Sequence, residues 1–339
     1  MTPGEAACIP DTERKLDMAT VTITKTQKSL ITLRPLYFLA FGTLCCASTA
    51  LSGLVLYSLN HSAAAPMHAS FGPQAVFRAK AWWKPNTKFL HKTSGLQPSP
   101  QIPQIIHQSW KTRELKPFQK QWQKTWISNH PTWTYMFWTD EDNRDLVADK
   151  FPWFLNIYDN LPSDIERADC ARYFYMLQYG GCYFDLDFES FKPLEPLLDN
   201  VQVALAYMTQ DTAHPLSIPN AFAASVPGHK FWLYVIKHVM KNYECGKINK
   251  ADVFKISGPL MLKEAVEEYQ STSISDDLTI FPPMQVYGVD WNWHDNATMQ
   301  HVFKVCHAAN VDFDATKCKT YFPDAYSVTY WSGELTWGG

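Results

Sequence analysis

The chain lacks any excess of positive charge. Lys and Arg number 30 against 33 Asp and Glu, for a formal net charge of −3. Nucleic-acid binding draws most of its strength from cations on phosphates, so a DNA or RNA partner is excluded on electrostatic grounds. Cys-x-x-Cys and His-x-x-x-His spacings are also missing, which leaves a zinc site without support. There is no Gly-x-x-x-x-Gly-Lys phosphate loop, no Gly-x-Ser-x-Gly elbow and no His-Glu-x-x-His helix. Internal repeats and low-complexity tracts are absent as well.

What the chain has is aromatic side chains, at 14% with 13 Trp. They suit either an aromatic core or a carbohydrate site, because apolar sugar faces stack on rings. It also has one long apolar run. Leu36 to Leu59 carries no charge, and at ~1.5 Å rise per residue a helix of this length spans a ~30 Å hydrocarbon core. Lys15, Lys25, Lys28 and Arg34 precede it; the next basic residues are Arg78 and Lys80. The positive-inside bias then makes 1–35 a cytosolic tail, 36–59 a transmembrane anchor and the remainder lumenal. A cleaved signal peptide ending near Ala63-Ala64-Ala65 is the rival, but its apolar core would be shorter. This topology predicts a single-pass type II protein of the secretory pathway. Residues 60–100, rich in Pro and small residues, read as a stem.

In an oxidising lumen disulfides persist. Cys306 and Cys318, close together near the end of the chain, are expected to pair. With Cys170, Cys182 and Cys245 the lumenal count is odd, so at least one thiol stays free. Asn296-Ala297-Thr298 and Asn60-His61-Ser62 are sequons consistent with that topology.

The folded domain is expected over 101–339. Strands are predicted over 102–107, 134–139, 182–187, 201–207 and 278–281. Helices are predicted over 117–129, over 140–150 with Asp140 as cap, over 163–179, 228–242 and 259–269. Ser163-x-x-Glu166 reads as a capping box, and Gly180-Gly181 as the stop. Strands alternating with helices predict an α/β domain with a mostly parallel sheet, and in such sheets ligands bind beyond the carboxyl ends of the strands.

That rule directs attention to Ser163–Glu189. Asp169 and Arg172 are three apart and share a helix face. Taken alone, such a pair is most often a weak surface contact. Asp185 and Asp187 alternate at a predicted strand end and so share a face. Two carboxylates side by side repel unless a cation sits between them. Oxygen-only ligands favour Mg²⁺ or Mn²⁺, and both ions also bind phosphate oxygens. An Asp-x-Asp triplet is often only a solvated turn; its place after Gly-Gly and an aromatic strand argues otherwise. The ensemble suits a nucleotide-diphosphate sugar, with metal and Arg172 on the phosphates. A glycosidase would need carboxyls ~5–10 Å apart, which this pair reaches only at the lower limit.

These residues resemble glycosyltransferase family 32, the fungal group of initiation-specific α-1,6-mannosyltransferases and mannosyl-inositol-phosphoceramide synthase catalytic subunits. The likeness covers roughly 101–337. Ile102–Lys111 is similar to the family's opening strand and nucleotide-side loop, and Trp138-Thr139-Asp140 to the end of its second strand. Arg167-Ala168-Asp169, Arg172-Tyr173, Gly180-Gly181 and Asp185-x-Asp187 follow its central motif in order and spacing. Asn220, Gly228-His229 and Ser257-Gly258-Pro259 are weaker landmarks.

The resemblance implies a GT-A-like (Rossmann-like) fold and a retaining transfer from a nucleotide sugar, with GDP-mannose as the expected donor. The acceptor is a glycan or glycolipid, and the location a Golgi membrane. It implies that Asp187 ligates the metal, that Asp185 contacts metal, ribose or sugar, and that Asp169 and Arg172 hold the donor sugar and phosphate. Ile106, His107, Gln108 and Trp110 would lie near the nucleotide. The family closes with a His-containing segment that has no counterpart in 327–337. The resemblance therefore leaves the third metal ligand, beside Asp187 and Asp185, without an assigned residue; Trp337 would still cover the nucleotide, with Ser332 or Glu334 near the metal. A UDP-sugar donor, or an inactive glycan-binding subunit of a transferase complex, are the alternatives.

Overall fold

The computed structural model describes residues 101–249, 253–272 and 276–332. The tail, the apolar run 36–59, the stem, Asn60, Glu334 and Trp337 lie outside the described residues. Among the described residues no helix is long and apolar enough to cross a membrane.

Eight strands and ten α-helices are described. The main sheet has the order β2-β1-β3-β6-β5-β7, built from β1 (Ile105–Ser109), β2 (Thr134–Trp138), β3 (Gly181–Phe184), β5 (Val203–Ala206), β6 (Phe222–Ser225) and β7 (Leu278–Phe281). β1 runs parallel to β2 and β3, and β5 parallel to β7. β6 is antiparallel to both β3 and β5. The expected α/β sheet is therefore mostly parallel but mixed. The reversed strand was not foreseen, because Phe222-Ala223-Ala224-Ser225 is short and small and carries no alternation. β4 (Phe188–Ser190) and β8 (Ser327–Thr329) make a separate antiparallel pair beside the sheet.

Helices flank the sheet. They are α1 (Pro117–Asn129), α2 (Asp140–Lys150), α3 (Leu155–Asp159), α4 (Asp164–Gln178), α5 (Phe231–Asn249), α6 (Val253–Ile256) and α7 (Pro259–Gln270), followed by the short α8 (Pro283–Val286), α9 (Gln300–Cys306) and α10 (Ala315–Thr320). α2 begins as expected, but its cap is Thr139, whose hydroxyl accepts from the Asp142 N–H at 3.2 Å. Thr139 can take the extended backbone that a cap needs, which leaves Asp140 as the first helical residue.

α4 is the central element. The Ser163 hydroxyl accepts from the Ile165 N–H and contacts the Glu166 carboxylate, a variant of the expected box. Its length is buried nearly all round, from Glu166 to Met176. Gly180 and Gly181 end it at φ +63° and +87°. A Cβ on Gly181 would stand 2.6 Å from the Ile105 carbonyl oxygen. Only glycine lets β3 enter beside β1 there. Cys306 and Cys318 are bridged, with Cα atoms 5.1 Å apart. Cys170 and Cys182 are buried free thiols.

Candidate active site

β1, β2 and β3 are mutually parallel, so their carboxyl ends meet on one edge of the sheet. A cavity of about 300 Å³ opens there. Ser109, Trp110 and Lys111 line it after β1, Asp140 after β2, and Asp164, Ala168 and Arg172 along α4. Tyr183, Asp185, Leu186 and Asp187 line it after β3, and Ser332 after β8.

The two carboxylates reach the cavity by a different route from the one expected. β3 stops at Phe184, and 185–187 form a turn closed by the Phe188 N–H on the Asp185 carbonyl at 3.2 Å. The strand cannot continue because Phe188 starts β4, which turns away to pair with β8. Leu186 drops into the core. Asp185 and Asp187 are thus brought together by a turn rather than by strand alternation.

Asp185 is held from three sides. The Tyr183 hydroxyl donates to its Oδ1 at 2.6 Å, and Arg172 Nη1 lies 3.4 Å from the same oxygen. The Gln108 side-chain amide donates to its carbonyl at 3.2 Å. Asp187 Oδ2 accepts from the Ser332 N–H at 2.8 Å and from its hydroxyl at 3.3 Å. Burial pushes the Asp187 carboxyl up to about 6, reinforced by the neighbouring Asp185 charge, while the Ser332 bonds pull it back.

Arg172 is the hub. It is buried at 8% exposure. Nη1 donates to the Asn220 carbonyl at 2.8 Å, Nη2 lies 3.2 Å from Asp169, and the guanidinium sits 4.8 Å from the Tyr183 ring centre. Burial disfavours its charge, but Asp185, Tyr183 and Asp169 more than offset this, so it stays firmly protonated. Its buried Nε has no hydrogen-bond partner among the described residues. Asp169 sits behind Arg172 and off the cavity wall. It accepts from the Ser257 hydroxyl at 3.1 Å. Burial pushes it up to about 6, with Arg172 pulling it down and Asp185 pushing it further up.

The structure therefore brings Arg172, Asp185, Asp187 and Trp110 to one cavity, with Asp169 behind Arg172. It does not bring Ile106, His107 or Gln108 to the cavity wall. Ile106 is core. His107 is fully buried, its Nε2 2.9 Å from the Gly180 carbonyl and its Nδ1 accepting from Trp138 Nε1 at 3.1 Å. Burial lowers its pKa to about 4, so it is a neutral core residue stacked on Tyr175 and Trp138. Gln108 accepts from the Tyr135 hydroxyl at 2.6 Å and supports the Asp185 turn from beneath. All three precede the carboxyl end of β1, so only the residues after it face the ligand side. Sequence reasoning missed Lys111, Asp140 and Asp164 as lining groups, although the strand-end rule points at the first two. It also missed Tyr183, which read as part of an apolar strand.

A hard divalent cation fits the donor set. The side-chain bonds on Asp185 fall on Oδ1 and the Ser332 bonds on Asp187 fall on Oδ2, so the two carboxylates each turn one oxygen away from these contacts among the described residues. Among the described residues no cluster of three or more His, Cys, Asp or Glu side chains is assembled to hold a metal. The remaining coordination would have to come from phosphate oxygens and water, the usual case for Mg²⁺ and similar ions.

Residues 118–204 match the family model described as "Glycosyltransferase sugar-binding region containing DXD motif". The chain is 34% identical over 181 residues to inositol phosphoceramide mannosyltransferase 2 of Schizosaccharomyces pombe, covering 53% of this chain and 51% of that protein. It is 39% identical over 167 residues to inositol phosphoceramide mannosyltransferase 3 of the same yeast, covering 48% and 44%. With mannosyl phosphorylinositol ceramide synthase SUR1 of Saccharomyces cerevisiae the identity is 34% over 184 residues, covering 54% and 47%. The chain spans about half the length of these relatives. Among solved structures, "PaToxG Glycosyltransferase" overlaps at TM-score 0.38 and 15% identity, over 50% of this chain and 70% of that one. The resemblance read from the central motif is borne out: residues 118–204 match a DXD glycosyltransferase model, and the chain is similar to named mannosyltransferases.

Proposed function

We propose that the protein is a GT-A-type retaining glycosyltransferase that moves mannose from GDP-mannose to a glycolipid, with inositol phosphoceramide as the acceptor class. The observation that carries this reading is the Arg172–Asp185–Asp187 arrangement at the carboxyl edge of the sheet, inside the segment 118–204 that matches the DXD glycosyltransferase model. The relatives named for inositol phosphoceramide support the acceptor class. The uncharged run 36–59 supports a type II Golgi anchor that keeps the domain near a lipid acceptor.

In this reading Asp185 and Asp187 would hold Mn²⁺ or Mg²⁺. The ion supplies Lewis-acid charge for the diphosphate. Arg172, on the cavity wall, offers its guanidinium charge to a phosphate or sugar oxygen. Asp169 holds Arg172 in place and keeps its charge balanced. Tyr183 fixes the Asp185 carboxylate, and Ser332 fixes that of Asp187. Preset side chains of this kind supply orientation before the reaction begins. In a retaining transfer the acceptor hydroxyl approaches the face that the nucleotide leaves. The departing phosphate can take its proton, so no further protein base is required.

The test is a panel of GDP- and UDP-sugars with Mn²⁺ or Mg²⁺ and with glycan and glycolipid acceptors. Mannose transfer from GDP-mannose to a phosphoinositol sphingolipid supports the reading. Transfer from a UDP-sugar would change the donor. Nucleotide-sugar binding without turnover under every metal and acceptor would instead favour a glycan-binding subunit of a complex.

A further inference from the structure

The cavity wall carries a second group of polar side chains away from the Asp185–Asp187 turn. Trp110, Lys111, Asp140 and Asp164 line it together. The Trp110 N–H donates to the Trp138 carbonyl at 3.0 Å and the Asp140 N–H to the Lys111 carbonyl at 3.5 Å, so the ends of β1 and β2 are tied to each other here. Asp164 is already engaged by Arg167. Asp140 differs: it is partly buried, and its carboxylate makes no hydrogen bond or ion pair among the described residues. Burial pushes its pKa up, and the nearby Asp164 adds to this, while Arg167 and Lys111 pull it down. A half-desolvated carboxylate without a donor is costly until something donates to it. A separate observation concerns the same cavity: Arg172, 8% exposed, lines it, and its buried Nε has no hydrogen-bond partner among the described residues.

We propose that Asp140 reads the base of the nucleotide and makes the site selective for guanine. The inference rests on the nucleotide-diphosphate donor proposed above and names the residue that chooses its base. A carboxylate only accepts hydrogen bonds. The Watson–Crick edge of guanine presents N1–H and the exocyclic N2 amino group side by side, two donors for two oxygens. Uracil presents one N–H between two carbonyl oxygens, whose lone pairs meet the carboxylate unfavourably. Charge-assisted bidentate pairing is the stronger kind of hydrogen bond, and a site built to receive donors rejects an analogue that leaves it unpaired. Trp110 lines the same cavity, and an aromatic ring there is the kind of group on which a base stacks. The competing explanation is that Asp140 only stabilises the N-terminus of α2, where an acid is favourable whatever the ligand.

The experiment measures binding of GDP, UDP and xanthosine diphosphate to the full chain with Mn²⁺ present, by calorimetry or competition. Wild type is expected to prefer GDP over UDP by about 100-fold. Asp140→Asn is expected to weaken GDP by at least ~30-fold and to change UDP by less than ~3-fold. It should also tighten xanthosine diphosphate, because an amide can donate to the 2-oxo group while accepting from N1–H. Asp140→Ala should lose GDP without that gain, which separates base reading from a fold defect. Equal weakening of GDP and UDP by Asp140→Asn, or wild type holding UDP as tightly as GDP, overturns the inference while leaving the donor site standing. No binding of any nucleoside diphosphate overturns the donor-site reading and this inference with it.

Discussion

Asp169 makes the stability of the protein depend on pH in an unusual direction. An aspartate in an unfolded chain titrates near ~3.9. Buried Asp169 is pushed up to about 6. The native state thus keeps a proton that the unfolded chain releases between those values. The stability from this group is complete below pH ~3.9 and is lost as pH rises through about 6. Worked through the linkage relation, the loss between pH ~5 and pH ~7.5 is about 1.4 kcal/mol. Other groups titrate over the same range, Asp187 among them, so the quantity to measure is a difference between variants. Asp169→Asn keeps the shape and can still accept from Ser257. Urea unfolding of metal-free wild type and Asp169→Asn at both pH values isolates the contribution. The wild type should lose about 1.4 kcal/mol more than the variant over this interval. Equal pH slopes for the two proteins would refute the reasoning, because Asp169 would then not be a carboxyl held protonated by burial.

Arg172→Lys should lower transfer by about 100-fold at saturating donor, because one ammonium cannot serve Asn220, Asp169 and Asp185 together; steady-state kinetics reads this directly. Gly181→Ala should cost more than about 2 kcal/mol in denaturant unfolding, since φ is +87° and the new Cβ meets the Ile105 backbone. Replacing both Cys306 and Cys318 by Ala should cost about 3 kcal/mol, the value for a loop of roughly this length, seen as a lower unfolding midpoint.

The parts of this fold that were legible in the sequence are those with local causes. α1, α2 and α4 carry their own start signals, and Gly180-Gly181 announces a stop through the backbone freedom it supplies. The Arg172–Asp169 pair follows from helical spacing alone. What escaped has non-local causes. β6 is a strand because β3 and β5 flank it, and its own residues say little. His107 was placed near the nucleotide by the resemblance; its position inside β1, a strand buried on both faces, instead packs it against Tyr175. Asp140 and Lys111 become neighbours of α4 only when β1 and β2 pair in register. Asp185 and Asp187 were found for a partly mistaken reason: the carboxylates converge, but a turn aims them, and Tyr183 and Ser332 set them from residues that no spacing rule connects.

The central claim is that Asp185 and Asp187 share a divalent ion with the diphosphate of a nucleotide sugar. The most direct measurement is a crystal structure with Mn²⁺ and GDP, with the metal located by its anomalous scattering. The account predicts one anomalous peak in direct contact with an Asp187 oxygen and with the diphosphate, and Arg172 within hydrogen-bond reach of the ligand. A diphosphate bound elsewhere, or bound in this cavity with no metal touching either carboxylate, would contradict it.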